Sequence, residues 1–178
     1  MTTYTVLDSS QTVLLVIDVQ RALFTRPHPV YRDTEMLEVI KSLVDRAHLY
    51  GIPVVYIQHA NDTLLKEESS SWKLHPALKP GPDDTLVRKT QGNAFLAPGL
   101  LSLIEARDIK NVIVTGLVTQ GGIRATSLGG LKAGHQMFLI KGGHSNYNQD
   151  APAVVEKYER ELESAGVHVV DPGELAFQ

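Results

Sequence analysis

Residues 112–135, VIVTGLVTQGGIRATSLGGLKAGH, join an apolar run to a helix of small residues through a turn that contains glycine. A short, continuously apolar run is typical of a strand buried on both faces of a parallel sheet. The turn between such a strand and the next helix is a common place for a reactive group or a bound anion. This segment therefore predicts a parallel sheet with a functional site beside the turn, although Gly122, where a nucleophile would be expected, has no side chain.

The remainder of the chain repeats this alternation of strand and helix. The patterns predict strands at 12–18, 54–59, 85–90, 111–116, 136–141 and 167–170, and helices at 33–50, 99–107, 121–134 and 152–165. Asp33 is the predicted N-cap of the first helix, and Gly166 follows the last helix. We therefore predict a single α/β domain over residues 1–178, with a mostly parallel sheet covered by helices on both faces.

The composition narrows the function further. The formal net charge is −3 and no run of basic residues occurs, so we expect no nucleic-acid partner and no anionic membrane surface as a partner. The absence of cysteine excludes disulfides, thiolate metal ligands and a cysteine nucleophile. The first ten residues, MTTYTVLDSS, lack a secretory pattern, and no apolar run approaches the length of a membrane span. We expect a cytoplasmic protein.

Three polar features follow predicted strands: Asp18 after the first, Lys89 at the end of the third, and the 116–122 turn after the fourth. Ligands of open parallel sheets bind beyond these strand ends, where a carboxylate, a lysine and a helix N-terminus would form an acid–base and anion-stabilising site. Each feature also has a structural interpretation, because Asp18 could serve a turn and Lys89 could be a solvated edge lysine. Their shared location favours a functional site.

Two nucleotide-binding patterns are incomplete in this sequence. GLVTQGGI has the glycine spacing of a phosphate-binding loop, but Gly122 and Ile123 occupy the positions where lysine and serine or threonine are required. The dinucleotide pattern G-x-G-x-x-G follows none of the predicted strands. A phospho-receiver domain would carry an acidic pair after its first strand, where Asp18 stands alone. We therefore predict neither a nucleoside-triphosphate-binding protein, nor a dinucleotide-binding protein, nor a phospho-receiver domain.

Four segments, LLVIDVQRALF, VVYIQHA, RKTQGNAF and VIVTGLVTQGGIRATSLGGLKAGH, together resemble the isochorismatase-like hydrolases, which include the cysteine amidohydrolases. The resemblance implies a Rossmann-like three-layer sandwich with a six-stranded sheet and a triad of Asp, Lys and Cys. Asp18 and Lys89 match the first two members, and Gly122 occupies the nucleophile position. It also implies that the N–H groups of Val118 and Gly122 hold an oxyanion, and that the Leu117–Val118 peptide is cis.

The resemblance offers a mechanism without a thiol. Amidohydrolases of the family attack an amide with the cysteine, which is impossible at Gly122. The isochorismatases also lack the cysteine: a protonated Asp donates to a vinyl ether, water adds, and pyruvate is released. Our leading hypothesis is this hydrolysis of a small molecule, with Asp18 as acid–base residue and Lys89 as its electrostatic partner. The alternative is an amidohydrolase that lost its cysteine, by nature or by substitution, and now only binds a small molecule or acts as a scaffold.

Further residues are candidates for binding or chemistry. The residues predicted to line the substrate pocket are Phe24, Gln58, Trp72, Phe95, Leu117 and Thr119. Substitute nucleophiles could come from the hydroxyls of Thr119, Thr126 and Ser127, and a dicarboxylate could be bound by Arg21, Arg88 or Arg124.

No metal or other cofactor is expected. The segment QHANDT lacks the Asp-x-His motif of the nicotinamidase branch, so a hydrogen-bonding role is favoured for His59 and His75. The resemblance also implies a homodimer or homotetramer, in which the long 60–84 connection could contribute to a neighbour's site.

Overall fold

A computed structural model describes residues 3–178; the first two residues of the predicted domain lie outside the described residues. In chain order the strands are β1 (Thr5–Leu7), β2 (Thr12–Ile17), β3 (Val54–His59), β4 (Thr85–Lys89), β5 (Asn111–Leu117), β6 (Gln136–Ser145), β7 (His168–Val170) and β8 (Leu175–Phe177). The α-helices are α1 (Asp33–Leu49), α2 (Pro98–Ala106), α3 (Arg124–Lys132) and α4 (Ala151–Ala165). None of the helices in the described range is long and apolar enough to cross a membrane.

The central sheet has six strands in the order β4-β3-β2-β5-β6-β7, and every neighbouring pair is parallel. The predicted α/β fold with a six-stranded parallel sheet is confirmed. The winding direction reverses between β2 and β5, which is where ligands bind in sheets of this kind. A separate pair of parallel strands, β1 and β8, was not predicted, because three residues are too few to show a strand pattern.

Two hydrophobic clusters pack against the two faces of the sheet. On one face, Leu14 and Val16 of β2 join Met36 and Ile40 of α1. On the other face, alternate residues of β2 join the buried side chains of α2 and α4. All residues of β2 are buried, which explains why the strand is a continuous apolar run in the sequence. The two clusters fix β2, and hence the residue that follows it, between two layers of helices.

The 121–134 helix prediction was wrong at its start. Residues Thr119–Ile123 form a π-helical turn, and the α-helix begins at Arg124. Gly121 breaks the regular geometry of the turn, with φ −108° and ψ −109°. The sequence pattern could not show this break, because the apolar spacing does not determine the conformation of the glycines in the turn. The turn keeps Gly122 close to the end of β5.

The end of one predicted strand and the cap of one helix also differ from the structure. The strand predicted at 136–141 continues through Gly142 and Gly143 to Ser145. Pairing with β5 shifts register there, so that His144 lies opposite Gly116. At α1 the N-cap is the preceding arginine in a left-handed conformation, and the predicted cap, Asp33, lies in the first turn.

The 60–84 connection contains no α-helix and lies against the segment that follows β2. The N–H of Ala22 donates to the Ser71 carbonyl at 3.0 Å, and the N–H of His75 donates to the Val19 carbonyl at 2.8 Å. These backbone bonds hold the connection beside the C-terminal end of β2.

Candidate active site

Asp18 and Lys89 form a buried ion pair. Asp18 directly follows β2 and adopts a left-handed φ of 52°, a region that aspartate tolerates better than most residues. Lys89 ends β4, whose alternate residues Val87 and Lys89 face inward, and it is only 3% exposed. Its Nζ lies 2.9 Å from Asp18 Oδ2. A solvated edge lysine is therefore excluded, and the pair predicted from the strand ends is in contact.

The surroundings of Asp18 favour a proton on its carboxyl. Burial raises the pKa of Asp18 to about 6, against the opposing effect of the Lys89 charge. Oδ1 of this carboxyl has no hydrogen-bond partner among residues 3–178. Burial and the charge of Lys89 lower the pKa of His59, so its neutral ring accepts from Lys89 Nζ at 3.3 Å. Asp18 can therefore exchange a proton near neutral pH while Lys89 stays anchored between two partners.

Gly122 faces this pair. A Cβ placed on Gly122 would lie 3.1 Å from Asp18 Oδ2, 3.3 Å from the carbonyl oxygen of Leu117 and 3.4 Å from Ile17 Cγ2. A side chain at this position would therefore point directly at the carboxyl group. The structure brings together Asp18, Lys89 and Gly122, the three positions at which the resemblance places the triad.

The peptide bond between Leu117 and Val118 is cis, and it leads into the turn that contains Gly122. Leu117 is fully buried in the cluster that packs against α1, whereas Val118 is half-buried. Thr119 is also fully buried, and its hydroxyl contacts His144 Nδ1 at 2.9 Å. Of these three residues, only Val118 retains exposed surface at the end of β5.

The observed contacts of the other predicted pocket residues are with residues other than Asp18 and Lys89. Gln58 and Trp72 line a cavity of about 580 Å³ between β4 and the 60–84 connection, and Gln58 donates to the Trp72 carbonyl at 3.2 Å. Phe24 packs against the ring of His75, with centroids 4.5 Å apart. Phe95 stacks on His135, which follows the C-terminal end of α3.

The candidate arginines are engaged elsewhere. Arg88 Nε lies 2.6 Å from Glu67 Oε2, and Arg124 Nη2 lies 2.6 Å from Glu161 Oε1. Arg21 is exposed and donates from Nε to a backbone carbonyl at 3.3 Å. None of these contacts places an arginine against Asp18.

The histidines considered as metal ligands are not paired with each other. His59 contacts Lys89, whereas His75 Nδ1 accepts from the N–H of Ala77 at 3.1 Å. Within residues 3–178, no three histidine, aspartate or glutamate side chains are grouped so that they could hold a metal ion.

Gln20 organises the site and was not predicted. Its side chain is fully buried, donates to the carbonyls of His59 at 3.0 Å and Trp72 at 2.8 Å, and accepts from the His59 N–H at 2.9 Å. Gln20 thus joins the 60–84 connection to the end of β3, where His59 contacts Lys89. The only sequence indication was its place two residues after Asp18, in DVQ.

Comparison with known proteins identifies relatives of the chain. The family model of the isochorismatase domain matches residues 12–170. A streptothricin hydrolase from Streptomyces noursei is 32% identical over 142 residues, which cover 79% of this chain and 51% of that protein. A ureidoacrylate amidohydrolase from Methylorubrum extorquens is 24% identical over an alignment of 195 positions, covering 88% of this chain and 78% of that protein.

A solved structure agrees at the level of the fold. An isochorismatase from Pseudomonas putida KT2440 superimposes with a TM-score of 0.86 at 18% identity, covering 97% of this chain and 93% of that one. The chain spans about half the length of the streptothricin hydrolases that it matches, 51% and 56% of the two proteins.

Proposed function

Because the chain belongs to the isochorismatase family of hydrolases, we propose that it hydrolyses a C–N bond of a small amide or ureide without a covalent intermediate. The observation that carries this proposal is the buried Asp18–Lys89 pair facing Gly122, where a Cβ would lie 3.1 Å from the carboxylate. Glycine leaves the position beside Asp18 open to a water molecule, which takes the place of a thiol as nucleophile.

In the proposed reaction, the Asp18 carboxylate takes a proton from water as the water oxygen bonds to the carbonyl carbon. The negative charge that develops on the carbonyl oxygen is held by the backbone N–H groups of Val118 and Gly122. Asp18 then returns the proton to the leaving nitrogen as the C–N bond breaks, giving an acid and an amine. Lys89 keeps the carboxylate oriented through its contact with Oδ2.

Two observations support C–N hydrolysis over cleavage of a dicarboxylate. One relative is named as an amidohydrolase. Of the three candidate arginines for a second carboxylate, Arg88 and Arg124 are paired with glutamates at 2.6 Å, and Arg21 donates to a backbone carbonyl at 3.3 Å. A neutral amide needs no such arginine, because backbone donors and the Asp18–Lys89 pair complete its site.

Vinyl-ether hydrolysis is the second candidate. It is favoured by the unpartnered Oδ1 of Asp18 and by the rise of the Asp18 pKa to about 6, because this chemistry begins with donation from a protonated carboxyl. The two candidates need opposite charge states of the same group. Amide hydrolysis begins with the carboxylate, and vinyl-ether cleavage begins with the acid.

A substrate panel tests the proposal. Amides and ureides, ureidoacrylate among them, are assayed for release of ammonia or amine, and isochorismate is assayed for pyruvate. Turnover of an amide or ureide, with no mass increase on the enzyme during turnover, is the expected result. Pyruvate release would favour the second candidate. Ligand-induced melting shifts without any turnover would contradict both and indicate a binding protein.

The Gly122→Ala variant probes the space beside the carboxylate. The added Cβ would lie 3.1 Å from Asp18 Oδ2, so we expect kcat/KM to fall by about tenfold or more because the water is displaced. Because φ at Gly122 is not in the left-handed region, alanine adds no backbone strain there, and any fall in melting temperature would come from the close contacts of the added Cβ with Asp18 and the Leu117 carbonyl. Gly173→Ala is the matched control, because a Cβ there meets no atom within 4 Å. Full activity of Gly122→Ala would show that this space is not used.

A further inference from the structure

The turn that contains Gly122 is connected to α4 by two hydrogen bonds, one buried and one partly buried. Thr119 Oγ1 lies 2.9 Å from His144 Nδ1, and His144 Nε2 lies 3.1 Å from Glu159 Oε1. The side chains of Thr119 and His144 have no exposed surface, whereas that of Glu159 is 21% exposed. Thr119 directly follows Val118, whose N–H is a proposed donor to the oxyanion. The two hydrogen bonds therefore connect the surface of α4 to the turn that begins at Thr119.

The proton positions in this arrangement follow from its carboxylate end. A carboxylate oxygen only accepts, so His144 Nε2 carries the hydrogen and donates to Glu159. In a neutral ring Nδ1 then accepts, and the Thr119 hydroxyl donates to it. Each group thus has one defined role, which fixes the rotamer of Thr119 and the plane of the His144 ring.

This order of hydroxyl, imidazole and carboxylate is also that of a nucleophile with its base. The topology argues against that role here. His144 lies on β6, on one side of β5, and Asp18 follows β2 on the other side. The Thr119 hydroxyl contacts His144 on the β6 side of β5 and is fully buried, so a substrate bound beside Asp18 does not reach it.

We infer that Thr119, His144 and Glu159 form a positioning chain that fixes the turn from Val118 to Gly122 against Asp18. The inference rests on the proposed function, because these three residues are inferred to position the backbone N–H groups that hold the oxyanion in that reaction. The turn needs such support, since Gly121 and Gly122 have no side chains of their own to anchor it. None of the three residues touches the reacting atoms.

Two substitutions of His144 separate its two hydrogen bonds. His144→Asn places a polar atom near the position of Nδ1 and can keep the contact with Thr119, whereas His144→Gln reaches toward Glu159 instead. We expect His144→Gln to lower kcat roughly 10- to 100-fold with KM within about twofold, and His144→Asn to keep most of kcat. Thr119→Val should behave like His144→Gln, and Thr119→Ser like the wild type. The exposed His28→Gln serves as control.

Two measurements decide the inference without turnover. Nitrogen-15 NMR should show His144 as the Nε2–H tautomer, and amide exchange at residues 119–123 should be about tenfold faster or more in His144→Gln than in wild type or His144→Asn. If no substrate is turned over, the proposed function fails, but these two measurements still test whether Thr119, His144 and Glu159 position the turn. Unchanged exchange and kcat in His144→Gln, or an acyl adduct on Thr119 during turnover, would overturn the inference.

Discussion

Replacing Asp18 with asparagine is expected to lower kcat/KM by about 100- to 10,000-fold, the range for loss of a group that transfers protons in the transition state. Asparagine keeps the shape of the side chain, but it can neither take the proton from water nor return it to the leaving nitrogen. The rate is measured per folded molecule, with the exposed Asp45→Asn as matched control. Both candidate chemistries require this loss, because each routes its proton through Asp18.

The loss must be separated from a loss of fold, because Asp18→Asn leaves the Lys89 ammonium buried without its carboxylate. The double variant Asp18→Asn, Lys89→Met removes both charges and should recover stability without recovering turnover. A double variant that is both stable and active would show that the buried pair has no part in the chemistry.

Replacing Lys89 with methionine is expected to lower the free energy of unfolding by about 3–5 kcal/mol, because the Asp18 charge then remains buried without a partner. For a chain of this size, the melting temperature should fall by roughly 6–20 °C. Methionine keeps most of the side-chain volume, so little of the effect comes from a cavity. The exposed Lys41→Met is the control.

The pH dependence of this effect follows from the sign of the Asp18 pKa shift. The pKa of Asp18 in the folded protein, about 6, lies above its ordinary value of 3.8, so the folded state becomes less favourable as pH rises through that interval. Without Lys89 the pKa should rise further, because the charge of Lys89 lowers it. Lys89→Met should therefore be less destabilised at pH 4 than at pH 8. Equal destabilisation at both values would contradict a buried charge as the cause.

Most of the fold could be predicted from local patterns. The all-buried β2 appears as an apolar run, and the amphipathic spacing of α1 marks the face that packs on it. Asp18 and Lys89 could be selected because parallel strands end at one edge, where their side chains meet at 2.9 Å. Two of the predictions that were wrong, the start of the 121–134 helix and the end of the 136–141 strand, fail at glycines, whose conformation the sequence alone does not determine.

The surroundings of the site depend on packing between distant segments. The contact between His144 and Glu159 joins β6 to α4, and His144 lies beyond a register shift between β5 and β6 that no sequence pattern indicates. Phe95, a predicted pocket residue, stacks on His135, a contact that the sequence could not show because an aromatic side chain carries no sign of the partner it packs against. The interaction of Lys89 with His59 likewise becomes visible only once β3 and β4 are paired in register.

The dependence of kcat/KM on pH, measured from pH 4.5 to 8 on a turned-over amide or ureide, tests most directly whether Asp18 transfers the proton. With Asp18 acting as the base, kcat/KM should rise about tenfold per pH unit at low pH and level off with a midpoint near pH 6, the pKa of the buried carboxyl. A falling limb with the same midpoint would keep Asp18 but assign it as the acid of vinyl-ether cleavage. A rate with no inflection between pH 5 and 7.5 would contradict the assignment of Asp18 as the proton-transfer group.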